Sequence, residues 1–303
     1  MTGPPRMVPE GLPKQSSNPS SSPDPRMFEP LLGAGDGRWT KAWLAQKLGA
    51  GLLLKIEPNP QGNRIARNLR GPSYGVSSFT GGHPEAIYSH DDRAEVTETA
   101  QTPWSTICKV HTVFVDGTTA EGTGFLVSHN CIATAGHVLL NIQTGAKPKS
   151  ISVRPGHSRG NDPFNSYVGV GFDVHPDFEA THDRGFDIGV IYLGADVGLQ
   201  TGYLGFGSFP DGSLANVLVN IAGYPVDRPG KLMSAAGRVT AAAPHWLAHD
   251  VDTIEGQSGA PVIYVESPGQ MVVLGVHSWG DPNRATRISP DIYNWLHQRS
   301  GLA

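Results

Sequence analysis

The most constraining feature of this 303-residue chain is a succession of short apolar runs, separated by turn residues, that begins near residue 103. The runs have the length and the Val, Ile and Phe content of β-strands, and pairs such as Asp116-Gly117 divide them. They cover residues 106–115, 124–127, 132–135, 151–154, 188–193, 217–222, 261–265 and 271–277. Gly and Pro make up about a fifth of the chain, and charged residues only 17%. This pattern predicts an all-β sandwich or barrel.

The two ends of the chain are not strand-like. Residues 289–298 begin with Ser, Pro and Asp, an order typical of the first turn of a helix, and therefore predict a C-terminal helix. Residues 1–30 are rich in Pro and Ser and have too little apolar surface to fold, so they predict a disordered leader. Residues 38–57 carry Trp and Leu at helical intervals and predict one amphipathic helix.

Charge and hydropathy narrow the classes of partner. The net charge is −4 and no long basic run occurs, which argues against nucleic acid or an anionic membrane as the main partner. No stretch approaches the length of a membrane span, and the N-terminus lacks the apolar region of a signal peptide. The two cysteines, Cys108 and Cys131, allow either one disulfide or two buried free thiols. Together these features favour a chain that works in the cytoplasm.

A glycine-flanked serine, Ser258, precedes the apolar run at 261–265. Gly256 allows the tight turn in which backbone N–H groups converge beside the serine hydroxyl. By itself such a loop is as consistent with an ordinary surface turn as with a catalytic site.

Two further residues supply what a serine nucleophile needs. His137 follows small residues at the end of a strand-like run, and Asp187 opens the apolar run at 188–193. A serine hydroxyl requires an imidazole to accept its proton, and the imidazole requires a carboxylate to fix its tautomer. Each residue alone would have an ordinary structural role, but the three together on a β-rich chain predict a Ser-His-Asp triad.

The motifs around these residues resemble those of a known family. Thr134-Ala-Gly-His137, Asp187-Ile-Gly-Val and Gly256-Gln-Ser-Gly-Ala-Pro261 resemble the three triad motifs of chymotrypsin-fold serine proteases. Gly223-Tyr-Pro225 and Asn283-Arg-Ala-Thr-Arg-Ile288 narrow the resemblance to the bacterial glutamyl endopeptidases. The resemblance covers about residues 86–300. It implies two six-stranded antiparallel β-barrels with the triad between them, protein or peptide substrates, and an oxyanion hole formed by the N–H groups of Gly256 and Ser258.

The same resemblance implies how the substrate is selected. Thr253, His277 and the strand that ends at Gly280 match the positions that line the specificity pocket. A hydroxyl and an imidazole can both donate hydrogen bonds to a carboxylate, which predicts a preference for Glu before the cut. Asp252 occupies the position at which trypsin-like enzymes bind Lys or Arg, and this basic specificity remains the alternative. A protease-like module that binds acidic peptides without cutting them is a second alternative.

The resemblance also places the boundary of the protease domain. The sequence from Ala86 onward resembles the start of the mature glutamyl enzymes, and Glu85 precedes it. We therefore expect a protease domain at 86–303 and an N-terminal extension, or prosegment, at 1–85. The enzyme would be made as a zymogen and would remove this extension itself, and a regulator could act on the extension. The glutamyl endopeptidases that this sequence resembles are mostly secreted, so an extracellular location is the alternative to the cytoplasm.

Two departures from the wider fold family affect this expectation. Gln257 replaces the aspartate that activates trypsin-type zymogens, and Val138 with Gly122 replaces the usual active-site disulfide. No cofactor is expected. The spacing of His175, Asp177, His182 and Asp183 fits no metal site, and this segment is expected to be a solvated loop.

Overall fold

In the computed structural model of the protein, residues 86–88, 90–267, 270–280 and 282–301 are described. Within them the chain forms thirteen strands. The strands are β1 (Ala94–Glu95), β2 (Ile107–Phe114), β3 (Thr119–Leu126), β4 (Cys131–Thr134), β5 (Pro148–Pro155), β6 (Tyr167–Val174), β7 (Gly189–Leu193), β8 (Leu218–Gly223), β9 (Met233–Ala242), β10 (Trp246–His249), β11 (Pro261–Ser267), β12 (Gln270–Trp279) and β13 (Arg284–Arg287). They form the two six-stranded antiparallel barrels that the family resemblance implies.

The first barrel closes in the order β2-β3-β4-β7-β6-β5. Its first strand shows why these residues form a sheet, because Val110, Thr112 and Phe114 point into the core and alternate with half-exposed residues. Strand β4 is buried along its whole length, since it lies between β3 and β7. An alternating apolar run thus corresponds to a strand with one buried face, and a continuous apolar run to a strand with both faces buried.

The second barrel consists of β8, β9, β10, β13, β12 and β11 in spatial order. It closes because β8 pairs with β11 on one side and with β9 on the other. The short strand β1 adds to the free edge of β9, at Ala94 and Glu95. A separate apolar cluster that includes Val239, Leu247 and Val262 fills this barrel.

Three short α-helices connect or close the barrels in the described part of the chain: α1 (Pro176–Thr181), α2 (Gly198–Thr201) and α3 (Pro290–Ser300). Helix α3 confirms the C-terminal helix, with Ser289 at the N-cap and Pro290 in the first turn. Its buried face, which includes Ile292 and Leu296, joins the apolar core of the first barrel. No helix in the described ranges is long and apolar enough to cross a membrane.

The segment ahead of β2 is attached to the second barrel by ion pairs. The buried guanidinium of Arg93 donates hydrogen bonds to the carboxylates of Asp91 and Asp227, at 2.7 to 3.0 Å. Glu95 accepts two hydrogen bonds from Arg159, in the loop between β5 and β6. Because these bonds reach Asp227 in the second barrel and Arg159 in the first, they attach the segment ahead of β2 to both barrels.

Several expectations can be compared with this fold. The strand-like runs are confirmed, but β6, β9, β10 and β13 were not predicted. Both cysteines are buried free thiols, which decides between the two alternatives. The segment that begins at His175 is not a solvated loop, because it includes α1 and His175 is buried against Phe186. The predicted leader and the helix at 38–57 lie outside the described residues.

Candidate active site

His137 and Asp187 come from adjoining strands of the first barrel. Strands β4 and β7 are antiparallel, with Thr134 opposite Gly189. His137 lies three residues after Thr134, in a single turn of 3-10 helix, and Asp187 lies two residues before Gly189. Antiparallel pairing therefore brings both side chains to the same end of the barrel.

The carboxylate of Asp187 holds His137 at two points. Asp187 Oδ2 lies 2.7 Å from His137 Nδ1, and Oδ1 accepts the backbone N–H of His137 at 2.9 Å. Asp187 is almost fully buried, whereas 15% of the His137 side chain is exposed. A buried carboxylate on Nδ1 fixes the tautomer that leaves Nε2 able to accept a proton.

The Ser258 loop contacts the end of the first barrel that carries His137. The Ser258 carbonyl accepts the backbone N–H of Thr123 on β3 at 2.8 Å. A Cβ added to Gly259, whose φ is +91°, would lie only 1.9 Å from the Thr123 carbonyl oxygen. The absence of a side chain at Gly259 therefore permits the close approach that brings the serine loop against β3.

Gly256 shapes the other side of the loop. It adopts a φ of +93°, and an added Cβ would lie 2.5 Å from the Tyr224 carbonyl oxygen, so the predicted tight turn is confirmed. Its N–H donates to no acceptor among the described residues, and its carbonyl accepts the hydroxyl of Thr123 at 2.9 Å. A backbone N–H of this kind, two residues before Ser258, is suited to binding a developing oxyanion.

The two residues predicted to bind the substrate carboxylate are both fully buried near this loop. The carbonyl of His277 accepts the N–H of Gly259 at 2.7 Å, which ties β12 directly to the serine loop. The hydroxyl of Thr253 has no hydrogen-bond partner among the described residues. A buried hydroxyl without a partner is costly and calls for an explanation, such as a ligand that accepts its proton.

A second histidine, which the sequence did not reveal, supports His277. His249 Nε2 on β10 lies 3.1 Å from His277 Nδ1, and both rings are buried. Burial, and then the neighbouring His277, hold the pKa of His249 well below its usual value. His249 is therefore neutral near pH 7. When His249 Nε2–H donates the shared hydrogen bond to His277 Nδ1, a neutral His277 carries its own proton on Nε2 and can donate it there.

Asn283 connects this histidine pair with the first described residue, Ala86. The side chain of Asn283 accepts the Ala86 N–H at 2.8 Å and donates to the Ala86 carbonyl, also at 2.8 Å. That carbonyl in turn accepts the N–H of Thr253, while the Asn283 carbonyl accepts the N–H of His249. Ala86 is thus bonded to the residues around the predicted pocket.

Asp252 lies in a different environment from the one that basic specificity requires. Its Oδ1 accepts the N–H of Tyr88 at 2.7 Å, and its Oδ2 accepts the N–H of Asp92 at 2.8 Å. Burial raises the pKa of its carboxyl group, and the nearby carboxylates add to this effect. Both oxygens are therefore engaged by the N-terminal segment, which favours an anchoring role for Asp252 over binding of Lys or Arg.

The remaining positions named from the sequence lie in or beside the serine loop, or directly after β12. A Cβ on Gly122 would touch Val138 at 2.8 Å, so the two residues that replace the active-site disulfide are neighbours. Gln257 is buried, and its side-chain oxygen accepts the N–H of Ile254. Gly280 lines a cavity beside Trp279. Among the described residues, no three His, Cys, Asp or Glu side chains are grouped as a metal site would require.

Comparisons with known proteins agree with this geometry. Residues 122–274 match the family described as the trypsin-like peptidase domain. The glutamyl endopeptidase of Bacillus licheniformis is 28% identical over 222 residues, which are 70% of this chain and 68% of the relative. A protein of Bacillus subtilis named extracellular metalloprotease is 26% identical over 223 residues, 71% of either chain.

A solved structure of a Glu endopeptidase in complex with MPD superposes on this chain with a TM-score of 0.63. It is 22% identical in sequence, and the match covers 70% of this chain and 98% of the other. A thermostable serine protease, AL20, superposes with a TM-score of 0.58 at 17% identity. At these identities the superpositions show a shared fold.

Proposed function

Because this chain belongs to the trypsin-like peptidase family and is a serine endopeptidase, we propose that it cuts peptide bonds after glutamate, using Ser258, His137 and Asp187. The specificity rests above all on the buried hydroxyl of Thr253, which has no partner among the described residues. A substrate carboxylate would supply the missing acceptor.

In the proposed mechanism the Ser258 hydroxyl attacks the carbonyl carbon of the bond to be cut, and His137 Nε2 accepts its proton. Asp187, 2.7 Å from Nδ1, stabilises the imidazolium that forms. The N–H groups of Gly256 and Ser258 bind the negative oxygen of the tetrahedral intermediate. His137 then donates its proton to the leaving amine, and water releases the acyl group by the same steps.

The carboxylate of the substrate residue before the cut would accept hydrogen bonds from Thr253 Oγ1 and His277 Nε2. The neutral His249 on Nδ1 of His277 fixes the orientation of that ring. A hydrogen bond to a charged group contributes about 1.5 to 3 kcal/mol, so each donor should raise the preference for Glu about 10- to 100-fold. Lys and Arg carry only donors, so neither side chain could accept the hydrogen bonds that Thr253 Oγ1 and His277 Nε2 would donate.

A panel of aminocoumarin peptides that differ only in the residue before the fluorophore tests the specificity. We expect Glu to be cut fastest and Gln to be at least tenfold slower, since Gln has the same shape without the charge. In Thr253→Val, which keeps the shape of the side chain, the Glu-to-Gln ratio should fall about tenfold or more. Faster cutting after Lys or Arg would overturn the proposal and reinstate Asp252 as the specificity residue.

The catalytic role of Ser258 can be tested separately from specificity. A fluorophosphonate should label Ser258 in the native enzyme and should not label Ser258→Ala. The absence of label on active, folded protein would favour the competing role, a protease-like module that binds acidic peptides without cutting them.

We further propose that the enzyme removes residues 1–85 itself by cutting after Glu85. The contacts of Ala86 support this proposal, because its nitrogen already lies 2.8 Å from Asn283 Oδ1 and its carbonyl accepts the N–H of Thr253. Cleavage would convert this amide into an ammonium group and add a positive charge near Thr253, which would favour an acidic substrate. The N-terminal residue and intact mass after incubation report the cut. Trimming of Ser258→Ala at the same bond, in the absence of active enzyme, would contradict self-processing.

A regulator that acts on residues 1–85 and the location of the protein in the cell remain predictions. One relative carries the word extracellular in its name, which supports the extracellular alternative. Fractionation of the source cells, with detection of the chain in medium and lysate, separates the two locations.

A further inference from the structure

A cavity of about 400 Å³ lies beside the proposed active site, with walls from both barrels. The first barrel contributes Arg184 and its neighbours, and the second contributes Trp246, Trp279, Gly280 and Arg284. Its volume could hold an amino-acid side chain together with several water molecules, since a water occupies about 30 Å³. The catalytic roles proposed above do not use this space.

The position of the cavity connects it with the path of a bound peptide. Arg184 lies three residues before Asp187, and the hydroxyl of Thr286 contacts the backbone carbonyls of both residues, at 3.2 and 3.1 Å. Trp279 and Gly280 directly follow His277 and Ser278 on and after β12. An extended peptide whose carboxylate reaches His277 would run along this edge at about 3.3 Å per residue. Its residues two to four positions ahead of the cut would therefore pass the cavity.

The charge of the cavity comes from two arginines that are held against aromatic rings. The guanidinium carbon of Arg284 lies 4.3 Å from the centre of the Trp246 ring, and that of Arg184 lies 5.9 Å from the Trp279 ring. Stacking on an aromatic face restricts the orientation of a guanidinium, and the edge of the Arg284 group can still form hydrogen bonds. These arginines therefore present positive charge to the cavity in a restricted orientation.

Arg284 has no carboxylate within ion-pair distance among the described residues, and its buried Nε donates no hydrogen bond there. The one acidic residue in the lining, Asp183, uses its Oδ1 to accept the N–H of Gly185 and so caps the turn before Asp187. Among the described residues that line the cavity there are two arginines and one aspartate, and the aspartate is engaged in local structure, which leaves Arg284 as the cation without a carboxylate there. Its chemistry favours a carboxylate as occupant, because Arg binds carboxylates with two parallel hydrogen bonds.

We propose that this cavity is a second specificity subsite, which binds the side chain of an Asp or Glu located two to four residues ahead of the cut bond. The inference rests on the proposed function for the position of the peptide and extends it to the substrate class, a protein segment with clustered acidic residues. Arg284 is the main donor, and Trp246 and Trp279 form the walls that orient the side chain.

Aminocoumarin peptides test this subsite, because only cutting after the last residue releases the fluorophore. All peptides end in Glu, and each of the three preceding positions carries Ala, Asp, Lys or Phe in turn. We expect Asp at one of these positions to raise kcat/KM about three- to tenfold over Ala, and Lys to lower it. The gain should shrink as the salt concentration rises.

Two arginine variants identify the donor. In Arg284→Gln the ratio of the Asp to the Ala peptide should fall to about one. This ratio is measured within one variant, so a general loss of activity cancels. Arg238→Gln removes the same charge from an exposed position on the second barrel and should keep the wild-type ratio. Arg284→Glu should reverse the preference in favour of the Lys peptide.

The outcomes separate this inference from the proposed function. If peptides that end in Glu are not cut in preference to those that end in Gln, the proposal of glutamate specificity fails. If they are cut but Asp at the preceding positions gives no gain, or Phe alone gives one, the acidic subsite is wrong and the glutamate specificity stands. An unchanged Asp-to-Ala ratio in Arg284→Gln also overturns the assignment of this cavity.

Discussion

Replacement of Asp187 by Asn tests the two-point contact between this carboxylate and His137. Asp187 Oδ1 accepts the backbone N–H of His137, and Oδ2 lies 2.7 Å from Nδ1 of the ring. If the amide oxygen of Asn keeps the backbone bond, its NH₂ group faces Nδ1. The ring must then accept at Nδ1 and carry its proton on Nε2, where it can no longer take the proton of Ser258.

The expected loss of kcat follows from the two hydrogen bonds between Asp187 and His137. Turning the amide to restore the tautomer would leave the buried N–H of His137 facing another donor, at a cost of about 1 to 3 kcal/mol. The lost charge-assisted bond to the imidazolium costs about 1.5 to 3 kcal/mol more. Together these terms amount to about 2.5 to 6 kcal/mol, and we therefore expect kcat to fall about 10²- to 10⁴-fold in Asp187→Asn.

The assay is the hydrolysis of a Glu-aminocoumarin peptide, with circular dichroism to confirm the fold. The chain provides a matched control, since Asp162 contacts His157 Nδ1 at 2.6 Å in the loop between β5 and β6. Asp162→Asn makes the same chemical change in a histidine–aspartate pair that we assign no catalytic role, and its kcat should stay within about twofold of wild type. A loss of less than tenfold in folded Asp187→Asn would refute the argument from the tautomer.

Three further expectations concern stability and the cysteines. Gly259→Ala places a Cβ against the Thr123 carbonyl of β3 and should destabilise the fold by more than about 3 kcal/mol. Gly117 also has a positive φ, +85°, but has open space around it, so Gly117→Ala should destabilise the fold by only about 1 kcal/mol. Urea midpoints of the two variants check this, and equal costs would contradict it. Burial depresses the pKa of His249, so the stability linked to this residue is present above pH 6.5 and is lost as the pH falls. The difference in the free energy of unfolding between wild type and His249→Asn should therefore shrink below pH 6.5, by up to about 1.4 kcal/mol per pH unit. A pH-independent difference would argue against a buried neutral ring. Burial raises the pKa of the Cys131 thiol to about 12 and raises that of Cys108 further, so a thiol reagent should label neither in native protein and both after unfolding.

Much of the fold could be predicted because local residues carry its signal. Strand β2 alternates buried and half-exposed side chains, which is the pattern of a strand with one face in the core. Helix α3 has its N-cap serine and first-turn proline in the sequence itself. Strands β9 and β13 were missed because they are rich in Ala, which has low β propensity, and because they lack a regular alternation of large apolar residues. They become strands because neighbours on both sides pair with them.

The properties of the site likewise depend partly on local sequence and partly on the tertiary structure. The sequence alone specified the identity of the proposed triad, the glycines at 256 and 259, and the Thr and His of the predicted pocket, because each motif is contained in a few consecutive residues. It could not decide the role of Asp252, whose hydrogen bonds to Tyr88 and Asp92 join residues about 160 positions apart. The support that His249 gives to His277 likewise required β10 and β12 to meet across β13. Local sequence determines which groups are available, whereas the tertiary fold determines which of them come within hydrogen-bonding distance and so what each one does.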